Sequence, residues 1–490
     1  MVRAGKVHPS GTLSFAGMAL LDQFRMEPLP KKWQDEGRAW QESYFPEMPV
    51  VLDEANWTRY YPGTPMPLLT CVLAKPDGFA DFARKVVGAT SATADLSTRL
   101  WKADDMPDSQ YMTALKIIRA QASTELGSIQ QHRMVYEQLD SGSLNGLDRE
   151  IVEGMHRTDP TGHRLDAISF SKKRVCVEEL RHHMQMAGVL TLDASFDRAR
   201  WGHHWATETM EELFAMKPGE HVLDAFNIEF KSIMDSATFL SLIDRVGKFQ
   251  LEMQHHFRYG PMAVSMPWMR WKEESYHLAA GETLMKAIGA AAIHDGGNFG
   301  VEDLQETINM WYPRGLEMFG SELGGGLVKG VFKTLTNGEA QAIYIEEVRG
   351  KVKDINLAMI ASKARCTREE AEHVLARLAA GETVHGMTKD DLVFLPDRRF
   401  FRIRGLQEYG DYRNVGSDSP GVGYVYLPYD IRGTLLTHDG RPIDRLEYAD
   451  YLKTVLPDRY MTSRHWEFVK DEFLDNDKWG EPEPVNRSAP

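Results

Sequence analysis

The feature that most constrains this chain is a pair of Glu-x-x-His motifs, Glu179 to His182 and Glu274 to His277, each set in an apolar, helix-compatible run. A residue and its i+3 neighbour share a helix face, so each motif aims a carboxylate and an imidazole at one point. A fold that buries two such faces must pair these groups or give them a metal, because an isolated buried charge is too costly to keep.

The motif alone is weak, since chance supplies about one copy in a chain this rich in Glu and His. Six are present, beginning at Glu153, Glu179, Glu252, Glu274, Glu370 and Glu382. Context separates them. Thr367 and Glu370 form a capping box opening a helix that Gly381 closes, so Glu370 and His373 read as first-turn surface residues. Glu382 and His385 follow Gly381 in a polar stretch, and Glu153 and His156 lie among Gly, Asp and Ser, so both pairs read as loop residues.

The two favoured motifs have apolar surroundings. Val175, Cys176 and Val177 precede Glu179, with Met184, Met186, Val189 and Leu190 beyond it; Trp268, Met269 and Trp271 precede Glu274, with Leu278, Ala279 and Ala280 beyond. A di-iron carboxylate bundle needs one further carboxylate from each of two other helices. Glu125, at the end of the helical run Ile117 to Glu125, supplies one. Asp244, among Phe239, Leu240, Leu242, Ile243, Val246 and Phe249, supplies the other. The order carboxylate, Glu-x-x-His, carboxylate, Glu-x-x-His is that of ferritin-like di-iron proteins.

Register favours Asp244 over Glu252 on the third helix. If Gly260-Pro261 is the turn before the last ligand helix, Asp244 lies 16 residues before Gly260 and Glu274 lies 14 after it. An antiparallel pair then sets both at similar height, whereas Glu252 misses by about 9 Å.

Ile117 to Arg133 (IIRAQASTELGSIQQHR), Val177 to His182 (VEELRH), Ile243 to Leu251 (IDRVGKFQL), Glu273 to His277 (EESYH) and Leu68 to Phe82 resemble segments of the oxygenase component of benzoyl-CoA 2,3-epoxidase, a relative of the phenylacetyl-CoA monooxygenases. The likeness runs from about residue 68 to 350 and more faintly beyond. It implies a ferritin-like bundle holding two iron ions on Glu125, Glu179, His182, Asp244, Glu274 and His277. It also implies insertion of one oxygen atom from O2 into an aromatic acyl-CoA, as in a ring epoxidation. One departure stands out: the family joins its first two ligand helices by a short hairpin, whereas Glu125 and Glu179 are separated by a polar insertion around Asp140 to Asp166. Glu150 and Glu153 sit nearer the family's interval, but in polar surroundings.

The chain shows no Gly-x-Gly-x-x-Gly after a strand, and Cys71, Cys176 and Cys366 are isolated from one another. It therefore lacks the usual nicotinamide and iron–sulfur signatures, and a separate flavin or iron–sulfur reductase is expected to deliver electrons. A net charge of −14 with no basic stripe argues against nucleic-acid binding. The short basic cluster Ser171 to Arg174 reads as a solvated helix start or a contact for CoA phosphates. No apolar stretch reaches membrane-span length and no secretory leader is visible, so a cytoplasmic enzyme is expected.

The sequence thus predicts a mainly α protein: an N-terminal wrap over 1–100, a ferritin-like four-helix di-iron bundle over 101–350, and a small C-terminal α+β region over 351–490. Strands are expected near Phe400 to Ile403 and Tyr424 to Leu427, with a polar tail from Trp479. The alternatives are a same-fold oxygenase or desaturase on another substrate, or a non-catalytic ferritin-like iron-binding protein.

Overall fold

A computed structural model describes residues 103–158, 199–216, 220–227, 232–254, 275–294, 299–320 and 329–395, with scattered positions that include Leu100, Glu179, Phe230, Tyr259 and a few between 441 and 451. The expected wrap over 1–100 and the expected strands between 400 and 427 lie outside the described residues. Within them the chain is mainly helical. Only isolated bridges, such as Leu100 with Tyr259, stand where strands would be.

The elements are α1 (Asp108–Ser141), α2 (Gly146–Thr158), α3 (Trp205–Ala215), α4 (Ile233–Thr238), a π-helical turn (Phe239–Ile243), α5 (Asp244–Gln254), α6 (Ser275–Ala292), α7 (Val301–Met318), α8 (Asn337–Ala364) and α9 (Arg368–Ala379). Helix α1 starts after Pro107, which cannot donate to a preceding turn, and stops at Gly142, whose φ of 68° is the left-handed cap that glycine adopts without strain. Thr336 with Glu339 and Thr367 with Glu370 close reciprocal capping boxes on α8 and α9, the second as the sequence predicts.

One expectation is corrected. Glu153 and His156 are not loop residues but lie on α2. Asn145 caps that helix, its side-chain oxygen accepting the Asp148 amide at 2.7 Å, so a stretch rich in turn formers still nucleates a helix. Both residues are exposed there.

Helix α6 is central, packing on α8, α2, α4 and the π turn, while α7 crosses α4 and the same turn. Helix α1 packs on α3, α4 and the short turn Asp224–Asn227. Phe230, Phe239 and Trp311 meet at the core with ring centroids 5.4 Å apart, in the tilted and edge-on arrangements that aromatic rings favour. Helix α8 continues through position 351 and carries α9 on its outer side, joined to it by the buried Ala371, Val374 and Leu378. Cys366 packs partly buried against this core, as a small apolar residue does.

Charges tie the inner helices together. Arg245 on α5 is 3% exposed and pairs with Glu282 of α6 and, at 2.7 Å, with Glu347 of α8. Lys248 reaches Glu347 at 2.8 Å and Lys351 reaches Glu282 at 3.0 Å. Burial works to raise the Glu347 carboxyl, but the hydrogen bonds and charges of Lys248 and Arg245 outweigh it and hold the group below its ordinary range.

Candidate metal centre

The turn that delivers Asp244 is not an ordinary helical one. From Phe239 to Ile243 the backbone is π-helical, and the Asp244 amide donates to the Phe239 carbonyl five residues back. One added residue rotates everything after it by roughly 100° relative to an unbroken α-helix. Side chains take up carbonyls of the π turn: Arg245 Nε donates to the Ser241 carbonyl and the Tyr344 hydroxyl to the Leu242 carbonyl, both at 3.1 Å. Arg245 therefore anchors the ion-pair cluster and also supports the distortion that aims Asp244.

Helix α6 approaches this turn closely because Gly281 has no side chain. A Cβ at Gly281 would lie 2.5 Å from the Ser241 nitrogen and 2.7 Å from the Leu240 carbonyl carbon. Gly281 is one turn beyond His277, so this contact sets how near the His277 imidazole comes to α5.

The result is a buried triad. His277 Nδ1 lies 3.4 Å from Asp244 Oδ2 and 3.5 Å from Glu179 Oε1. One donor atom from each of the three lies within 4.8 Å of the others. Their exposures of 0%, 7% and 5% exclude bulk water as the solvent for this charge. Ser128 Oγ on α1 donates to Glu179 Oε1 at 3.2 Å, orienting that carboxylate.

Glu125, also on α1 and 5% exposed, lines the same cavity as Glu179 and Asp244 but stands outside the triad. Gln121 Nε2, one turn earlier, donates to its carboxylate at 2.6 Å. Three acidic side chains thus line one cavity, a grouping that a bound cation would stabilise. Oxygen donors and one imidazole suit a first-row divalent metal. The buried group of Glu179, Asp244 and His277 could hold a metal ion.

Of the six residues predicted as ligands, the structure brings Glu179, Asp244 and His277 together and sets Glu125 on the wall of their cavity. His182 and Glu274 lie outside the described residues. On α5 Asp244 stands at this group, and Glu370 and His373 are exposed on α9.

The cavity measures about 140 Å³ and has apolar walls that include Ile117, Leu223, Phe226, Ile243 and Met318. Its remaining polar lining comes from residues the sequence reading missed. Asp244, Gly247, Gln250 and Gln254 form one stripe of α5, and Lys333 enters from the segment before α8. Lys333 Nζ donates to Gln250 Oε1 at 2.6 Å. Burial pushes its ammonium down to about 8. Spacings of three and four along α5 were the available signal for the glutamines. For Lys333, in an irregular segment, there was none.

No family model matches the chain, and no curated protein matches it significantly. No described helix is long and apolar enough to cross a membrane.

Proposed function

We propose that this chain is the oxygenase component of a di-iron monooxygenase, inserting one oxygen atom from O2 into an aromatic acyl-CoA while a separate flavin or iron–sulfur reductase supplies electrons. The observation that carries this reading is the buried triad of Glu179, Asp244 and His277, two members of which, Glu179 and Asp244, line a ring-sized cavity. An engineered apolar cavity of about 150 Å³ takes up benzene, so a volume of this order accommodates one aromatic ring.

Glu179, Asp244 and His277 would hold one iron, with Glu125, His182 and Glu274 completing a pair as the motif order implies. Iron in such a site supplies the electrons and the binding position through which dioxygen is activated. The protein's own part is positional. Ser128 and Gln121 orient the Glu179 and Glu125 carboxylates, and the π turn fixes Asp244 against His277. The apolar walls keep water from a ring lying beside the ligands.

The test is metal content with Mössbauer spectra after expression with adequate iron, followed by turnover of benzoyl-CoA under labelled dioxygen. About two irons per chain are expected from a complete ligand set of this order. With a matching reductase and NADPH, the product should carry label from dioxygen; NADPH alone should give none. A single iron, stoichiometric zinc, or label from water would refute the proposal.

A further inference from the structure

The end of the cavity away from the carboxylates has its own chemistry. Along α5, Gln250 lies six residues and Gln254 ten residues beyond Asp244, which is about 9 and 15 Å of helix rise. Lys333 Nζ has three protons to donate and gives one to Gln250. Among the described residues no carboxylate lies within ion-pairing distance of it, unlike Lys248, Lys329 and Lys351. Gln254 is 2% exposed, lines the cavity, and its Oε1 has no hydrogen-bond partner among the described residues. A buried acceptor left without a partner is open to water or to another molecule that completes the bonding. Because the amide can turn either its carbonyl or its NH2 inward, it can serve an acceptor as well as a donor.

We propose that Lys333 and Gln254 form a binding site for the acyl oxygen of the substrate, a thioester carbonyl or a carboxylate, and so hold the attached ring against the Glu179, Asp244 and His277 end. The inference rests on the proposed oxygenase reading for the identity of the ring but on the cavity alone for the oxygen site. A cation and an amide line the same cavity as Glu179 and Asp244, with apolar side chains such as Ile117, Phe226 and Ile243 among its walls, and match a molecule that is polar at one end and flat and apolar at the other. Lys333 is already partly desolvated, so an acyl oxygen meets a donor that has little water left to lose.

The experiment measures binding of three probes, benzoyl-CoA, benzoate and toluene, by calorimetry on the full chain with and without bound iron. The variants are Lys333→Met, Lys333→Arg and Gln254→Leu, with iron content and melting temperature recorded for each. Lys333→Met should weaken benzoyl-CoA or benzoate at least tenfold and leave toluene unchanged, and Lys333→Arg should recover part of the loss. Gln254→Leu should weaken the same oxygenated probe several-fold without loss of fold, since it removes a buried carbonyl that has no partner among the described residues. Whichever oxygenated probe responds identifies the acyl oxygen as thioester or carboxylate.

Equal weakening of toluene and the oxygenated probes, or no effect of either substitution, would overturn the inference. A wild-type chain that binds iron but neither oxygenated probe would overturn it while leaving the metal reading intact. Lys333-dependent binding to a chain that takes no iron would support it and defeat the oxygenase proposal.

Discussion

Replacing Gly281 with alanine tests whether helix approach sets the metal geometry. The added Cβ would start 2.5 Å from the Ser241 nitrogen, where ordinary contact begins at 3.4 Å. Backbone atoms on both sides cannot rotate away, so α6 must retreat from the π turn by about 0.9 Å, the difference between those two distances. His277 lies one turn back on α6, and its Nδ1 stands 3.4 and 3.5 Å from Asp244 and Glu179, so the retreat opens the triad directly. Two energies oppose each other. Alanine gains about 1 kcal/mol over glycine within a helix, whereas overpacking costs about 1–3 kcal/mol. The fold should therefore lose at most about 2 kcal/mol, while metal affinity falls roughly 10- to 100-fold, as when supporting contacts of a metal ligand are disturbed. Gly350, exposed on α8 with nothing within 4 Å of its would-be Cβ, is the control. Gly350→Ala should stabilise by about 1 kcal/mol and leave metal binding unchanged. Urea unfolding and metal titration of both variants supply the comparison. If Gly281→Ala binds metal as tightly as Gly350→Ala, the close approach does not set the site.

Two further predictions follow from single residues. Asp244→Ala should abolish the metal spectrum and Glu252→Ala should leave it intact; the reverse pattern would move the α5 ligand by two turns. Desolvation on burial raises Asp148 from 3.8 to about 6, with the Asp235 charge adding to the rise and bonds from Ile233 and Asn145 opposing it. The folded state then binds more protons than the unfolded state between those values, so stability should fall as pH rises from about 4 to about 6, by up to roughly 3 kcal/mol. Asp148→Asn should flatten that slope in denaturant titrations at pH 4, 5, 6 and 7. Parallel profiles for the two proteins would contradict the assignment.

Local chemistry was legible in the chain because it is governed by near neighbours. Thr367 and Glu370 announce their helix because a capping box is complete within four residues. Asp244 stood out because a carboxylate in an apolar helix demands a partner, and the spacing about Gly260 placed it level with the last ligand helix. The same local view misjudged Glu153 and His156, where Asn145 caps a helix that composition alone disguises as a loop. Tertiary structure decided the remainder. The π turn depends on Arg245, on Tyr344 from α8 and on the bare face of Gly281 from α6, none of which a local pattern can bring together. Lys333 gains its meaning in the same way, from Gln250 and Gln254 on a helix some eighty residues earlier. A helix is specified by contacts three and four residues apart; which faces meet, and what charge is stranded between them, is settled only when distant helices pack.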